Sequence, residues 1–332
     1  EPQRGICTIA VPVLGRKAHV TTGGLSTISH VAATDATGWQ RAFSDFDLDV
    51  IQLGAGSRSN RLATAYDRGA AMISADVGFP VSGRATVPED SVIAVLVTRA
   101  PAGMRWSGHD LETGDVLVYG PGAEHVAVTP GGARFRLVTA SFEYIESAAE
   151  AAGRHVPPLA RGSIAVVRDE IQAASLHTSM AALQPVPDRA ESAEGGGSVA
   201  VDALLDVMCP ADTRPSGRGL DSTAIINAAI EFADRSSTVP PVAELCRAAH
   251  VSERRLRTAF LERFGMPPKR YFQHRQLSRV HSALRAGSPS TTSVTMEALN
   301  AGVTHLGRFS RRYQSTFGVF PSDSLRTLEG AG

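Results

Sequence analysis

Two segments near the C-terminus share one pattern, Phe264-Gly265-Met266-Pro267-Pro268 and Phe317-Gly318-Val319-Phe320-Pro321. In each segment phenylalanine precedes glycine, and a proline follows that glycine three residues later. Counting back, Leu256 matches Phe309 and Phe260 matches Tyr313, each pair 53 residues apart. A repeat of this kind predicts two similar helical units.

The first copy predicts a helix, a short turn and a second helix. We expect a scaffold helix over residues 242–249 and a second helix over residues 253–264. Ser252 stands where an N-cap belongs, because its hydroxyl can accept a hydrogen bond from the first free amides of the second helix. The apolar stripe of that helix ends at Phe264, so its other side is expected to be polar.

A long helix over residues 269–286 is expected to connect the two copies. Its expected inward-facing residues are Tyr271, Leu277, Val280 and Leu284. In the second copy we expect a scaffold helix over residues 296–301, a turn at Gly302 and a second helix over residues 306–316. The core stripe of that last helix is Phe309, Tyr313 and Phe317.

Helix, turn and helix with a polar outer face is the arrangement by which proteins read the DNA major groove. Two such units joined by one helix can place two helices in successive grooves, about 34 Å apart. Residues 221–332 hold 15 Lys plus Arg against 9 Asp plus Glu, whereas the first 220 hold 18 against 24. This charge asymmetry is expected when only the C-terminal domain meets phosphate.

Two simpler interpretations stay open. A similar charge excess occurs in proteins that never meet nucleic acid, and an arginine-rich helical bundle can imitate a single helix-turn-helix. Two copies in tandem, with a shared ending and a linking helix, favour the DNA-reading interpretation.

These residues resemble the AraC/XylS family of transcription activators over roughly residues 223–325. Ser252-x-x-x-Leu256-x-x-x-Phe260 is similar to the first reading helix of the family, and residues 302–313 are similar to the second. The predicted DNA-binding residues are Arg254, Arg255, Arg257 and Thr258 in the first copy and Gly307, Arg308, Ser310 and Arg311 in the second. The resemblance implies base contacts at all of them except Arg255, which is included for its position on the polar face.

The sequence departs from the family pattern at two positions. Val303 stands where phenylalanine is usual, and Gln276 stands where the linking helix often has arginine. Neither change removes a reading helix. Gly307 offers no side chain to a base, so the second copy is expected to hold the DNA backbone more than to read sequence.

The N-terminal part predicts short strands punctuated by Gly, Pro, Asp and Asn. The expected strands are 48–53, 70–73, 91–97, 115–119 and 135–139, and the expected helices are 32–41, 142–152 and 166–183. Residues 114–125 resemble the second half-motif of cupin barrels. Alternation over residues 45–49 predicts that Asp45, Asp47 and Asp49 share one solvated face.

The predicted fold is therefore α+β with two domains. Residues 1–184 are expected to form a cupin-like β-barrel or sandwich with flanking helices, and residues 185–220 a linker region. Residues 221–332 are expected to form an all-α domain of two helix-turn-helix units joined by a linking helix.

No catalytic residues are identified, and no cofactor or metal is expected. The three cysteines, Cys7, Cys209 and Cys246, lack metal-ligand spacing. His125 would be a ligand in a metal-bearing cupin, but the His-x-His and glutamate of the first half-motif do not occur. His125 is then either an ordinary strand residue or part of a pocket lining.

These observations predict a cytoplasmic, sequence-specific DNA-binding regulator that is not an enzyme. No apolar run reaches membrane-spanning length, and no signal peptide is expected. The resemblance implies an activator, a homodimer and a small-molecule effector bound by the first domain, with RNA polymerase as a candidate partner. A cupin-type enzyme with a helical appendage and a helical adaptor that does not bind DNA are the alternatives.

Overall fold

The structure, a computed structural model, describes residues 6–10, 17–21, 27–42, 48–67, 70–151, 156, 160–167, 220–236 and 238–326. Residues 168–183 of the third predicted N-terminal helix lie outside these ranges, as does almost all of the predicted linker region. Asp45 and Asp47 also lie outside them. Among the described helices, none is long and apolar enough to cross a membrane.

The N-terminal part of the chain, up to Val167, is rich in strands. The strands are β1 Ile6–Ala10, β2 Lys17–Thr21, β3 Thr27–Ala33, β4 Asp49–Gln52, β5 Asn60–Asp67, β6 Ala70–Asp76, β7 Val81–Thr86, β8 Ser91–Arg99, β9 Arg105–Trp106, β10 His109–Asp110, β11 Val116–Tyr119, β12 Glu124–Thr129, β13 Arg134–Ser141 and β14 Ile164–Val167. The helices of this part are α1 Ala36–Ala42 and α2 Phe142–Ala151.

The strands form one hairpin and two larger antiparallel sheets. β1 pairs with β2; five strands run in the order β10-β9-β12-β7-β4, and seven in the order β14-β11-β8-β13-β6-β5-β3. One apolar core joins Val50 and Ala127 of the five-stranded sheet with Val95 and Leu137 of the seven-stranded sheet. The two larger sheets are therefore packed face to face, as in a β-sandwich.

The second face of the seven-stranded sheet is also covered. Ile145 and Ala149 of α2 pack against Val92, Ala94 and Val138 of that sheet. A strand that is buried on both faces has no polar side, which explains the continuous apolar run of β8.

The C-terminal region is helical. Its elements are α3 Leu220–Asp234, α4 Val242–Ala248, α5 Glu253–Phe264, α6 Pro268–Ala286, α7 Val294–Asn300, α8 Leu306–Phe317 and α9 Pro321–Arg326. The predicted helices of both copies and the linking helix agree with α4 to α8 within two residues at each end. The α+β organisation, with a sheet-rich N-terminal part and a helical C-terminal part, is confirmed.

The repeated Phe-Gly pattern marks the same helix ending twice. Gly265 and Gly318, which follow α5 and α8, have φ angles of 63° and 78°, and their amides bond to Leu261 O and Gln314 O. Only glycine adopts this left-handed conformation without cost, so it stops each helix at the same point. Pro321 then begins α9, as Pro268 begins α6.

The two copies differ by one residue in the turn. Between α4 and α5 the turn runs over residues 249–252, whereas between α7 and α8 it runs over residues 301–305. The longer turn contains Gly302, with a φ of 77°, where an added Cβ would lie 2.7 Å from the Cβ of Thr238. Glycine at this predicted turn position is therefore required by both conformation and space.

Three expectations for the N-terminal part were wrong. The helix predicted from residue 32 begins at Ala36, because Ala32 and Ala33 belong to β3 and pair with β5. The helix predicted from residue 166 cannot begin there, because Val166 and Val167 belong to β14 and pair with β11. Several strands, including β3, β5, β7 and β12, were also not predicted.

We expect Asp76→Asn to lower the free energy of unfolding at pH 7 by about 1–2 kcal/mol. A hydrogen bond from Arg58 (2.5 Å), helped by one from Arg61 (2.9 Å), lowers the pKa of Asp76 to about 2. Because the folded pKa lies below the unfolded value of about 3.9, the stabilisation is complete above that value and is lost as the pH falls toward 2. Denaturant unfolding at pH 7 and at acidic pH measures the difference.

Glu89→Gln is the control, since Glu89 forms an exposed ion pair with Arg161. Exposed pairs contribute little, so this variant should change the free energy of unfolding by well under about 1 kcal/mol. Equal effects of the two substitutions at pH 7 would contradict the prediction.

Candidate nucleic-acid interface and the domain behind it

Helix α5 is held from behind and capped at its start. Leu256 and Phe260 are fully buried against α3 residues such as Ile230. The hydroxyl of Ser252 accepts a hydrogen bond from the amide of Arg255 at 3.3 Å, which is the predicted N-cap. The helix therefore presents a fixed outer surface.

The outer surface of α5 carries the predicted residues of the first copy. Arg254 and Arg257 are exposed, and no ion pair holds either of them among the described residues. Arg255 and Thr258 are partly buried. Two arginines are thus available for contacts with phosphate or with guanine, whose acceptors suit a guanidinium fork.

The predicted DNA-binding residues of helix α8 include fewer long side chains than those of α5. Gly307, Arg308 and Arg311 are exposed, and a Cβ added at Gly307 would meet nothing within 4 Å. Ser310 is partly buried, and its hydroxyl donates to Leu306 O at 3.1 Å. The predicted residues of the second copy therefore share a face, but only the two arginines extend from it.

A cleft of about 510 Å³ separates the two helix-turn-helix units. Lys269, Arg308 and Arg312 contribute to its lining, and all three are exposed. Lys269 and Arg312 were not predicted as site residues, because no motif position marks them. Their only sequence signal is a positive charge at the start of α6 and on α8.

The two departures from the family pattern are accommodated. Val303 is buried in the core of the second unit with Leu277 and Phe309. The side-chain amide of Gln276 donates to Ala301 O at 2.8 Å, which links α6 to the end of α7. Val303 therefore still provides an apolar contact at its position, and Gln276 still provides a polar contact.

The five-stranded sheet has two covered faces. Along β12, His125, Ala127 and Thr129 face the space between the sheets, whereas Val126 and Val128 pack with the helices. This alternation is the ordinary period of a strand. One face of the five-stranded sheet therefore borders the space between the two sheets, and its other face packs against the helical units.

Polar contacts surround this interface. Asn227 of α3 accepts a hydrogen bond from Arg84 at 2.6 Å and donates one to Glu124 at 2.8 Å. Arg275 of α6 lies 3.1 Å from Asp49 and 3.1 Å from Asp234. The prediction that Asp49 lies on a solvated face is wrong, because this carboxylate pairs with a helix of the other domain.

The sheet-rich region also contacts the carbonyl ends of both outer helices. The side chain of Gln52 donates to Thr316 O at 2.9 Å, and the amide of Ala55 donates to Ser315 O at 3.3 Å. Arg105 donates to Leu261 O at 3.3 Å. The last four carbonyls of a helix lack partners within it, so the bonds from Gln52 and Ala55 satisfy free acceptors at the end of α8, whereas Leu261 O of α5 also accepts from the amide of Gly265.

A buried polar chain connects α1 to the second unit. His281 Nδ1 lies 2.6 Å from the hydroxyl of Tyr313, and Nε2 lies 3.2 Å from Asp35 Oδ2. Tyr313 in turn donates to Ser324 Oγ at 2.8 Å. Burial raises the pKa of Asp35, but the hydrogen bond from His281, with Gly38 N and Arg285, lowers it overall. Asp35 is thus held ionised beside the ring.

A cavity of about 100 Å³ lies between the two large sheets. His125 lines it, with Nδ1 2.9 Å from the hydroxyl of Tyr119 and its ring 5.0 Å from that of Trp106. Of the two interpretations left open for His125, pocket lining is confirmed. Burial lowers the pKa of His125 to about 4, so the ring is neutral at pH 7. Among the described residues, no three His, Cys, Asp or Glu side chains could hold a metal ion.

Residues 245–327 match a family model described as a helix-turn-helix domain. The chain is 40% identical over 82 residues to a XylDLEGF operon transcriptional activator of Pseudomonas putida, covering 25% of this chain and 26% of that protein. It is 40% identical over 95 residues to XylDLEGF operon transcriptional activator 2 of the same organism, covering 29% and 59%. A probable thc operon regulatory protein of Rhodococcus erythropolis is 32% identical over 105 residues, covering 31% and 32%. The chain thus spans less than two thirds of the length of each of these relatives.

Solved structures offer more distant likenesses. The AraC-like transcriptional activator CuxR has a TM-score of 0.41 and 14% identity, covering 76% of this chain and 94% of that one. ToxT from Vibrio cholerae has a TM-score of 0.32 and 10% identity, covering 92% and 99%. These values are too low to transfer any property to this chain.

We expect Tyr313→Phe to lower the free energy of unfolding by about 1–3 kcal/mol. The fully buried hydroxyl bonds to both His281 and Ser324, so its removal leaves two buried polar groups without this partner. Denaturant unfolding measures the change. Tyr271→Phe is the matched control, since that buried tyrosine makes no side-chain hydrogen bond to the described residues. Equal losses in the two variants would contradict the assigned network.

Proposed function

We propose that residues 245–327, which match a helix-turn-helix family model, form a DNA-binding domain of the AraC/XylS type, and that the chain is a transcriptional activator that binds specific DNA sequences. Helices α5 and α8 enter successive major grooves, with α6 setting the spacing between them. The observation that carries the proposal is the pair of helices α5 and α8. Each ends at a glycine with left-handed backbone and has exposed arginines on its outer face.

The two helices have unequal tasks in this proposal. Arg254, Arg257 and Thr258 read base edges from α5, and Arg255 supports them at the backbone. Arg308 and Arg311 of α8 hold phosphates, while Ser310 and Gly307 lie close to the backbone. Lys269 and Arg312 add charge between the units. Phosphate contacts position a protein on DNA and base contacts specify the site, so one copy reads and the other anchors.

The first domain is regulatory in this proposal. Residues 1–184 form a cupin-like effector and dimerisation domain, residues 185–220 a linker, and residues 221–332 the DNA-binding domain. A small molecule occupies the cavity beside His125, and the regulator acts as a cytoplasmic homodimer that recruits RNA polymerase and catalyses no reaction. The support is the shared sheet, since the cavity and the helical units lie on its two faces.

We expect Arg254→Ala and Arg257→Ala each to weaken binding to the specific operator by about 1–3 kcal/mol while weakening binding to random duplex less. A lost bidentate contact removes base discrimination, whereas a lost phosphate contact weakens all sequences alike. Genomic footprinting of bound sites supplies the operator, and gel shifts with operator and random duplex at two salt concentrations measure both affinities.

Arg235→Ala is the control, because this arginine is also exposed but directly follows α3 and pairs with Glu231. It should leave operator affinity almost unchanged. Equal losses on operator and random duplex would assign Arg254 and Arg257 to phosphates. DNA binding that is negligible and insensitive to salt would overturn the proposed function, because phosphate contacts release counterions.

We expect Gly307→Ala to stabilise the free protein slightly and to weaken its binding to DNA severalfold. The substitution meets open space and improves helix propensity by about 0.5–1 kcal/mol. On DNA, the added methyl group occupies the space between α8 and the backbone. Thermal unfolding and the same gel shift measure the two effects, which must differ in sign. Unchanged affinity would show that α8 does not approach DNA closely at Gly307.

A further inference from the structure

The cavity between the sheets has an almost wholly apolar wall. Trp39 and Phe135 contribute rings, and Val50, Val95 and Leu137 contribute aliphatic surface. The only polar atom of Trp106 is already hydrogen-bonded, because its Nε1 donates to Thr129 Oγ1 at 3.0 Å. Most of the surface of an occupant would therefore meet carbon atoms, which favours an apolar body.

His125 leaves one hydrogen-bonding atom for an occupant, beside the hydroxyls of Thr86 and Thr129, which also line the cavity. His125 uses Nδ1 for its bond to the hydroxyl of Tyr119, and no described residue lies within hydrogen-bond distance of Nε2. The ring remains partly exposed, and its contact with Trp106 holds it at the cavity wall. A few polar groups amid mainly apolar surface fix the orientation of a ligand.

The wall offers no ionic partner. Among the described residues, none that lines the cavity is Asp, Glu, Lys or Arg. The two titratable side chains in it are His125 and Tyr119, and burial keeps the first neutral by lowering its pKa and the second neutral by raising its pKa. An ion placed here would lose its hydration without finding a counter-charge, which is strongly unfavourable.

The volume limits the size of the occupant. The cavity measures about 100 Å³, whereas an engineered apolar cavity of about 150 Å³ holds benzene. One aromatic ring, or an aliphatic group of that size, is therefore the largest body that fits with small adjustments of the wall.

We propose that the effector of this protein is a neutral molecule about the size of a single ring, with one hydroxyl or carbonyl oxygen that hydrogen-bonds to Nε2 of His125. This inference rests on the proposed effector role of the first domain. A carboxylate of the same size fits less well, since no described lining residue is Lys or Arg. A hydroxyl suits either tautomer of the ring, because it can both donate and accept.

The test uses three ring compounds of similar shape with the full-length chain. Phenol is neutral at pH 7 and carries a hydroxyl, toluene lacks the hydroxyl, and benzoate is ionised. Titration calorimetry at pH 7 should show that phenol binds about 2 to 12 times more tightly than toluene, the range of one net hydrogen bond. Benzoate should bind at least about 100 times more weakly than phenol. Binding of benzoate as tight as that of phenol would overturn the inference, as would no binding of any of the three.

Variants at His125 assign the hydrogen bond. His125→Leu should bind phenol and toluene equally, because the polar group is gone while the apolar wall remains. His125→Gln keeps a hydrogen-bonding side chain and should restore part of the preference for phenol. Toluene binding by both variants serves as the check that the cavity is folded. A preference for phenol that survives in His125→Leu would overturn the role of His125.

Gel shifts on the same samples separate this inference from the proposed function. If DNA binding is salt-dependent but no ring compound binds, the ligand assignment fails and the regulator assignment stands. If phenol binds with the expected preference but DNA does not bind, the reverse holds. An effect of phenol on operator affinity, absent with benzoate, would support both.

Discussion

The alternation of side chains along β12 and β4 is the constraint on which the rest of the structure depends. Neither strand has a solvated face at these positions, because Val50 and Ala127 face the cavity side while Ile51 and Val126 face the helices. A shift of register by one residue would exchange both sets. One strand register therefore determines both which side chains face the cavity and which side chains contact the helical units, so the two sets cannot change independently.

The same sheet region contacts the carbonyl ends of both outer helices. Arg105 meets Leu261 O at the end of α5, and Gln52 meets Thr316 O at the end of α8. Since these contacts lie at the ends of α5 and α8, a movement of the sheet changes the relative position of these two helices. In the proposed function, the two helices must fit successive major grooves of DNA. A ligand acts on such an arrangement only through different affinities for its alternative states.

The helical region could be predicted because its signals are local. Ser252, Gly265 and Gly318 each determine a helix boundary through their own backbone or their nearest amides, so a few adjacent residues suffice. The strands β7 and β12 were missed for the opposite reason. Strand β12 is covered on one side by a sheet and on the other by helices far away in sequence, so Val126, Ala127 and Val128 show no apolar and polar alternation, and the partner of Arg84 in β7 is Asn227 of a distant helix. The partner of Asp49 is Arg275, which lies on a distant helix of the chain, and no local pattern could indicate it.

The two helix-turn-helix units differ in what determines their position. Helix α5 has its own N-cap at Ser252, whereas α8 begins at His305 without a side-chain cap and continues with Gly307, a poor helix former. The second unit instead has the buried chain from Asp35 through His281 to Tyr313, in addition to the bonds from Gln52 and Ala55. A helix that is weakly specified by its own sequence depends more on tertiary contacts. The unit to which the proposed function assigns fewer base-reading side chains is therefore also the one whose position depends more on the sheet-rich region.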